Sequence, residues 1–274
     1  MTEGAGAFRG AGRFLLPGDC LSTRPMTDQP AIPASTLILA RDVPRGPPEL
    51  LMVERAATMA FAAGAMVFPG GRIDPEDHEF AETLGVEHGA GIVAAVRETI
   101  EETAVPVALD PLPNPALALE LQRALLAGTS LATLLDRHRL SLDASLLTPW
   151  ARWMPNFHTT RRFDTLFFLA AAPPGEWIPN VGEAENRVAE WISAADALAR
   201  HAGGSASLIF PTRRNLERLA CHDRVAVLHD HARGHAVETI CPWVEERDGE
   251  RWLTIPGHLG YPVTQEKLDG LWRG

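Results

Sequence analysis

A short strand-like run, Ala65-Met66-Val67-Phe68, ends in Pro69-Gly70-Gly71, and further along the chain comes Arg97-Glu98-Thr99-Ile100-Glu101-Glu102. Two glycines directly after a strand permit a tight turn and close backbone approach to a ligand. Around the second stretch, residues 90–103 place Ile92, Val93, Val96 and Ile100 at helical spacing, which predicts a helix with one face in the core. At 3.6 residues per turn, Glu98 and Glu102 stand one above the other with Glu101 alongside, and Arg97 lies within ion-pair reach of Glu101. Pro106 stops the helix just beyond. Three carboxylates therefore gather near a helix C-terminus, where the macrodipole disfavours negative charge, and Glu98 and Glu102 also repel each other. A lone pair of glutamates is ordinarily a solvated face, but water does nothing to favour this cluster. A bound Mg²⁺ or Mn²⁺ would reverse the sign of each of these terms, because hard cations prefer carboxylate oxygen.

The 274 residues suffice for one elaborated domain, and no apolar run reaches the roughly 18 residues that a membrane span needs. Cys20, Cys221 and Cys241 are odd in number and widely spaced, which predicts no disulfide framework and a cytoplasmic setting. A net charge of −10 argues against nucleic-acid binding, so an anionic substrate needs a metal or local arginines.

Residues 1–33, rich in Gly and Pro, read as disordered, with Met26 an alternative start. Residues 34–42 and 49–55 read as paired strands, and residues 66–68 begin a third. Residues 74–89 read as a polar spacer. After a proline-punctuated loop, residues 116–127 and 131–139 have helical period, with Gly128 between them, and form a helical insertion at about 106–148 in one domain spanning 34–274. Residues 150–157 read as aromatic and irregular, 162–171 as a buried strand, 184–200 as a turn and a helix, and 212–220 as a helix after Pro211.

Phe68-Pro69-Gly70-Gly71 followed by Arg97-Glu98-x-x-Glu101-Glu102 resembles the Nudix hydrolase signature, and the order of elements is similar to that fold. The fold expected is α+β, an α/β/α sandwich around a mixed sheet. The resemblance implies metal-dependent hydrolysis of a nucleoside diphosphate linked to another group. In such proteins the helix carboxylates bind divalent cations, here Mg²⁺ or Mn²⁺, that bridge the diphosphate. Carried over by position, Glu98, Glu101 and Glu102 match the metal ligands, and the carbonyl of Gly71 completes the shell. Arg97 matches the arginine that orients the carboxylates. Glu185, before Trp191, matches a further ligand or base, with Glu183 as second choice and a solvated loop acid as the plain alternative. The spacer between Gly71 and Arg97 is longer than usual, and its acidic position falls on Glu76, Asp77 or another acid. Ala104 stands where a glycine is expected, and Thr99 where an apolar residue is usual.

Arg55-Ala56, Gly64 and Phe68 to Gly71 are similar to the long-spacer, peroxisomal-type coenzyme A diphosphatases, as are Arg161 to Phe168 and Pro211-Thr212. Ala60 replaces a second arginine of that pattern and removes a phosphate contact. Arg55, Arg162 and Gly70 are the substrate-binding residues this branch implies. The substrate implied first is coenzyme A or acyl-coenzyme A. NADH, ADP-ribose or a nucleotide sugar is the alternative, and a non-catalytic nucleotide-binding module is a further one. The helical insertion admits a homodimer.

The run Cys221, His222, His229, His231, His235 and Cys241 lacks the paired spacing of a zinc site and reads as ordinary histidines. Arg213-Arg214 reads as surface charge, and Trp150, Trp153 and Phe157 as core.

Overall fold

The computed structural model describes residues 30–56, 64–155, 162–181 and 186–268. The disordered segment expected at 1–33 lies almost wholly outside these residues, but the first strand, β1 (Ile32–Arg41), begins two residues earlier than its sequence pattern predicts. It is followed by β2 (Glu49–Arg55), β3 (Met66–Val67) and β4 (Gly70–Arg72). Further along come β7 (Thr148–Trp153), β8 (Phe163–Ala171), β9 (Asn186–Ser193) and β10 (Thr239–Ile240). These eight make one mixed sheet in the order β10-β7-β8-β1-β2-β3, with β4 against β1 and β9 against β2. The β1–β8 and β10–β7 pairs are parallel; the other pairs of this sheet are antiparallel. Between β4 and β7, β5 (Leu109–Asp110) and β6 (Ser141–Leu142) form a separate pair, and β11 (Trp243–Arg247), β12 (Glu250–Thr254) and β13 (Gln265–Lys267) form a small third sheet.

Both faces of the large sheet are covered, which is why its central strands are continuously apolar. Leu37, Leu39, Leu51, Phe168 and Ala170 face one core; their alternate neighbours Ile38, Ala40, Leu50, Met52, Phe167 and Leu169 face the other. The first core is roofed by α1 (Pro75–Leu84), α2 (Gly89–Thr103), α3 (Pro115–Leu126) and α4 (Leu131–His138). The second lies under α5 (Ala194–Ala202), α6 (Phe210–Leu219) and α7 (Val225–Arg233). Among the described residues no helix is long and apolar enough to cross a membrane.

Several elements depart from the sequence expectation. The spacer contains α1: Asp74 precedes Pro75 at the first helical position, and Asp77 turns back to accept a hydrogen bond from the Asp74 backbone at 2.9 Å. Gly85, left-handed at φ 61°, ends it. The start of the irregular aromatic segment is β7, in which Pro149 sits at a register shift against β8. The expected turn before α5 is β9, and Ser193 divides strand from helix by accepting from Asp196 N at 3.1 Å. The histidine-rich run contains α7.

The end of β1 pairs with β2 and its start with β4, so Pro69 to Arg72 is wedged into the sheet beside Ala34–Thr36. Above it α2 packs close to β1. Ser35 Oγ donates to Gly91 O at 2.6 Å, and a Cβ on Gly91 would lie 3.1 Å from Leu166 and 3.3 Å from Phe168. The glycine pair and the acidic helix are thereby held against each other.

Candidate active site

Arg97 is the centre of the cluster. Its Nε donates to Asp77 Oδ1 at 3.0 Å and one terminal nitrogen to Asp77 Oδ2 at 2.9 Å, a two-pronged pair with a carboxylate that is almost fully buried. The same nitrogen reaches Arg72 O at 2.9 Å, and the other donates to Glu98 at 2.9 Å and Glu101 at 3.3 Å. Burial opposes the charge on Arg97, but the hydrogen bond to Asp77 and the charges of Glu98, Asp77 and Glu101 outweigh it, and its pKa is raised. The spacer acid that faces Arg97 is thus Asp77, on α1, rather than the exposed Glu76.

The carboxylates crowd the glycines. Gly70 N donates to Glu102 Oε2 at 3.2 Å. A Cβ on Gly71 would fall 2.2 Å from Glu98 Oε1, and one on Gly70 would fall 2.4 Å from Ser35 O, a backbone atom. A side chain at Gly70 would strike fixed backbone, and one at Gly71 would displace the Glu98 carboxylate. Burial pushes the Glu101 carboxyl above its ordinary value, Arg97 pulls it down, and Asp77 and Asp74 push it up again. Among the described residues no three acidic, histidine or cysteine side chains converge on one point, since Arg97 draws Glu98 and Glu101 to itself while Glu102 turns to Gly70. The donor set nevertheless suits a hard divalent cation: three carboxylates on adjacent turns of one helix, with Glu98 set close against the Gly71 backbone.

Beyond the helix ends Thr103, Ala104 adopts the left-handed conformation at φ 55°. This is the position where the Nudix resemblance expects glycine, and the backbone shows why. Thr99, in place of an apolar residue, is fully buried and returns its hydroxyl to Ala95 O at 2.7 Å.

Arg55 and Arg162 come to the same end of the sheet. Arg55 closes β2, where its N–H donates to Ala65 O at 3.0 Å, and Arg162 O accepts from Ile32 N at 2.8 Å, beside the start of β1. The Nε of each is buried without a hydrogen-bond partner among the described residues. Glu185, Glu183, Arg161, Ala60 and Phe157 lie outside the described residues. Arg213 and Arg214 pair with Glu266, and Arg214 also with Glu217, so both are engaged in ion pairs; burial lowers Arg214 to about 10. Trp150 and Trp153 are core residues. The rings of His222, His231 and His235 lie side by side, tilted by 50° and 36° with centroids 4.4 and 4.3 Å apart, beside Arg218.

No family model matches the chain. The structure of a Nudix hydrolase from Alicyclobacillus acidocaldarius superposes with a TM-score of 0.64 and 30% identity, covering 74% of this chain and 97% of that one. The chain belongs to the Nudix hydrolases, enzymes that cleave phosphoric anhydrides. It is similar to the human acyl-coenzyme A diphosphatase NUDT19, at 29% identity over 264 residues, covering 75% of this chain and 67% of that protein. It is also similar to putative nudix hydrolase 7 of Caenorhabditis elegans, at 26% identity over 234 residues, covering 83% of this chain and 74% of that protein.

Proposed function

We propose that this enzyme is a divalent-metal-dependent diphosphatase acting on coenzyme A or an acyl-coenzyme A. The observation that carries the chemistry is the crowding of Glu98, Glu101 and Glu102 around Arg97 and the Gly70-Gly71 turn. The substrate rests on the likeness to NUDT19 and on Arg55, Gly64 and Phe68 to Gly71.

In this reading Glu98, Glu101, Glu102 and the Gly71 carbonyl hold Mg²⁺ or Mn²⁺, which when bound offsets the diphosphate charge and polarises its P–O bonds. Arg97 keeps the carboxylates in place, itself anchored by Asp77. Arg55 and Arg162, partly exposed at the same end of the sheet, supply positive charge for the anionic substrate. Glu185 supplies a further ligand or base from beyond the described residues. The products are adenosine 3′,5′-bisphosphate and a phosphopantetheine.

A panel of coenzyme A, acetyl-coenzyme A, 3′-dephospho-coenzyme A, NADH, ADP-ribose and nucleotide sugars tests the substrate, with products resolved in Mg²⁺ or Mn²⁺. Preference for the 3′-phosphorylated coenzymes is expected. Equal cleavage of 3′-dephospho-coenzyme A, NADH or ADP-ribose would move the assignment to dinucleotides and nucleotide sugars, the reading that Ala60 favours by removing an arginine from the pattern.

A further inference from the structure

One buried polar side chain of α3 hydrogen-bonds to the carboxylate turn. Gln122, on α3, is 4% exposed. Its amide nitrogen donates to Glu101 O at 3.0 Å and to Asn180 O at 2.7 Å. Glu101 O is among the last four carbonyls of α2, which have no partner within the helix. Two residues on, Thr103 O accepts from Asn180 N at 2.8 Å. Gln122 and Asn180 thus close a ring over the end of α2: Gln122 joins Glu101 to Asn180, and Asn180 returns to Thr103. The ring also brings partial positive charge to a helix end that carries three carboxylates and ends in a left-handed alanine.

We propose that Gln122 is a positioning residue for the carboxylate turn: by tying the Glu101 carbonyl to Asn180, it fixes Glu101 and Glu102 relative to Gly70-Gly71. This gives the insertion a part in the chemistry and rests on the metal-site reading above. Arg97 sets the side chains of the turn from one flank; Gln122 sets its backbone from the other. Neither amide hydrogen of Gln122 is spare, so a residue of equal length without donors releases both carbonyls at once.

Calorimetric titration of Mn²⁺ into the full chain tests this without depending on turnover. Gln122→Met should weaken Mn²⁺ binding by about tenfold, in line with outer-shell partners of metal ligands, and should lower kcat more than it raises KM. Gln122→Glu, which keeps the shape but loses the donors, should weaken it at least as much and carries the same test if the methionine variant does not fold. Leu134→Val, in the buried face of α4, is the control for general damage to the insertion and should leave Mn²⁺ affinity unchanged. Wild-type affinity in a folded Gln122 variant would overturn the proposal, as would equal weakening by Leu134→Val at the same loss of thermal stability. A wild-type chain that binds no Mn²⁺ would overturn the metal-site reading and the role of Gln122 together.

Discussion

Gly70 and Gly71 are adjacent, yet the atoms they would strike are of different kinds. A methyl on Gly70 meets the backbone of β1, which cannot step aside, whereas a methyl on Gly71 meets the end of the Glu98 side chain, which can swing away. Gly70→Ala should therefore cost about 1–3 kcal/mol of stability, the usual range for overpacking. Gly71→Ala should fold close to normally but lose at least about tenfold in turnover as Glu98 leaves its place. Denaturant midpoints set beside steady-state rates separate the two. Asp77→Ala leaves Arg97 buried without its two-pronged partner and should cost about 3 kcal/mol, at the low end for a broken buried pair because Glu98 and Glu101 remain. Ala104→Gly should raise stability by about 0.5–1 kcal/mol: relief of the left-handed strain exceeds the chain entropy glycine adds. The carboxylates and Arg97 are legible in sequence because they stand on adjacent turns of one helix. Asp77 is legible only as one of several acids, since its meeting with Arg97 depends on how α1 folds back on α2. Gln122 has no sequence signal, as its partners are backbone carbonyls far away along the chain.

At the scale of elements, α6 and α7 hold a group that should respond to pH. Burial, then the charges of Arg218, His222 and His235, lowers His231 from its usual 6.5 to about 4. Its Nε2 accepts from Arg218 Nε at 2.9 Å, and its ring lies 5.7 Å from that of Trp150. Between pH 6.5 and about 4 the unfolded chain binds a proton at this histidine that the folded chain refuses. Folding stability is therefore lost as pH falls through that window and levels off below it. His231→Gln keeps an acceptor for Arg218 but cannot titrate, and chemical denaturation across pH 4–7 should show a shallower slope for that variant. The elements easiest to read are those that announce themselves locally: β2, β8, α2 and the two insertion helices. Those that escape have ambiguous local chemistry. The β9 sequence mixes apolar and charged residues with no clean alternation, α7 hides among histidines, and β7 has a proline as its second residue. Each is fixed by pairing or packing with distant parts of the chain.

At the scale of the molecule, one sheet separates two cores, and the insertion is continuous with the core beneath the acidic helix. Leu121, Leu125, Leu134 and Leu135 share a cluster with Ile92, Val96 and Ile100 of α2. The insertion should therefore melt with the sheet. Leu121→Ala should cost about 2–5 kcal/mol and move a single transition followed by far-ultraviolet circular dichroism and by tryptophan fluorescence, without splitting it. The sandwich itself is legible in sequence, since strand, glycine turn and acidic helix come in one order; the splay of β1 that wedges Gly70-Gly71 under that helix is not. In the proposed function the carboxylates of α2 act through a divalent cation. The measurement that reaches this most directly is Mn²⁺-dependent diphosphate cleavage by the wild-type chain and by Glu102→Gln. Loss of at least about 100-fold in turnover with thermal stability nearly unchanged is the predicted result. Turnover that persists in the variant, or that proceeds equally after the metal is chelated, would contradict it.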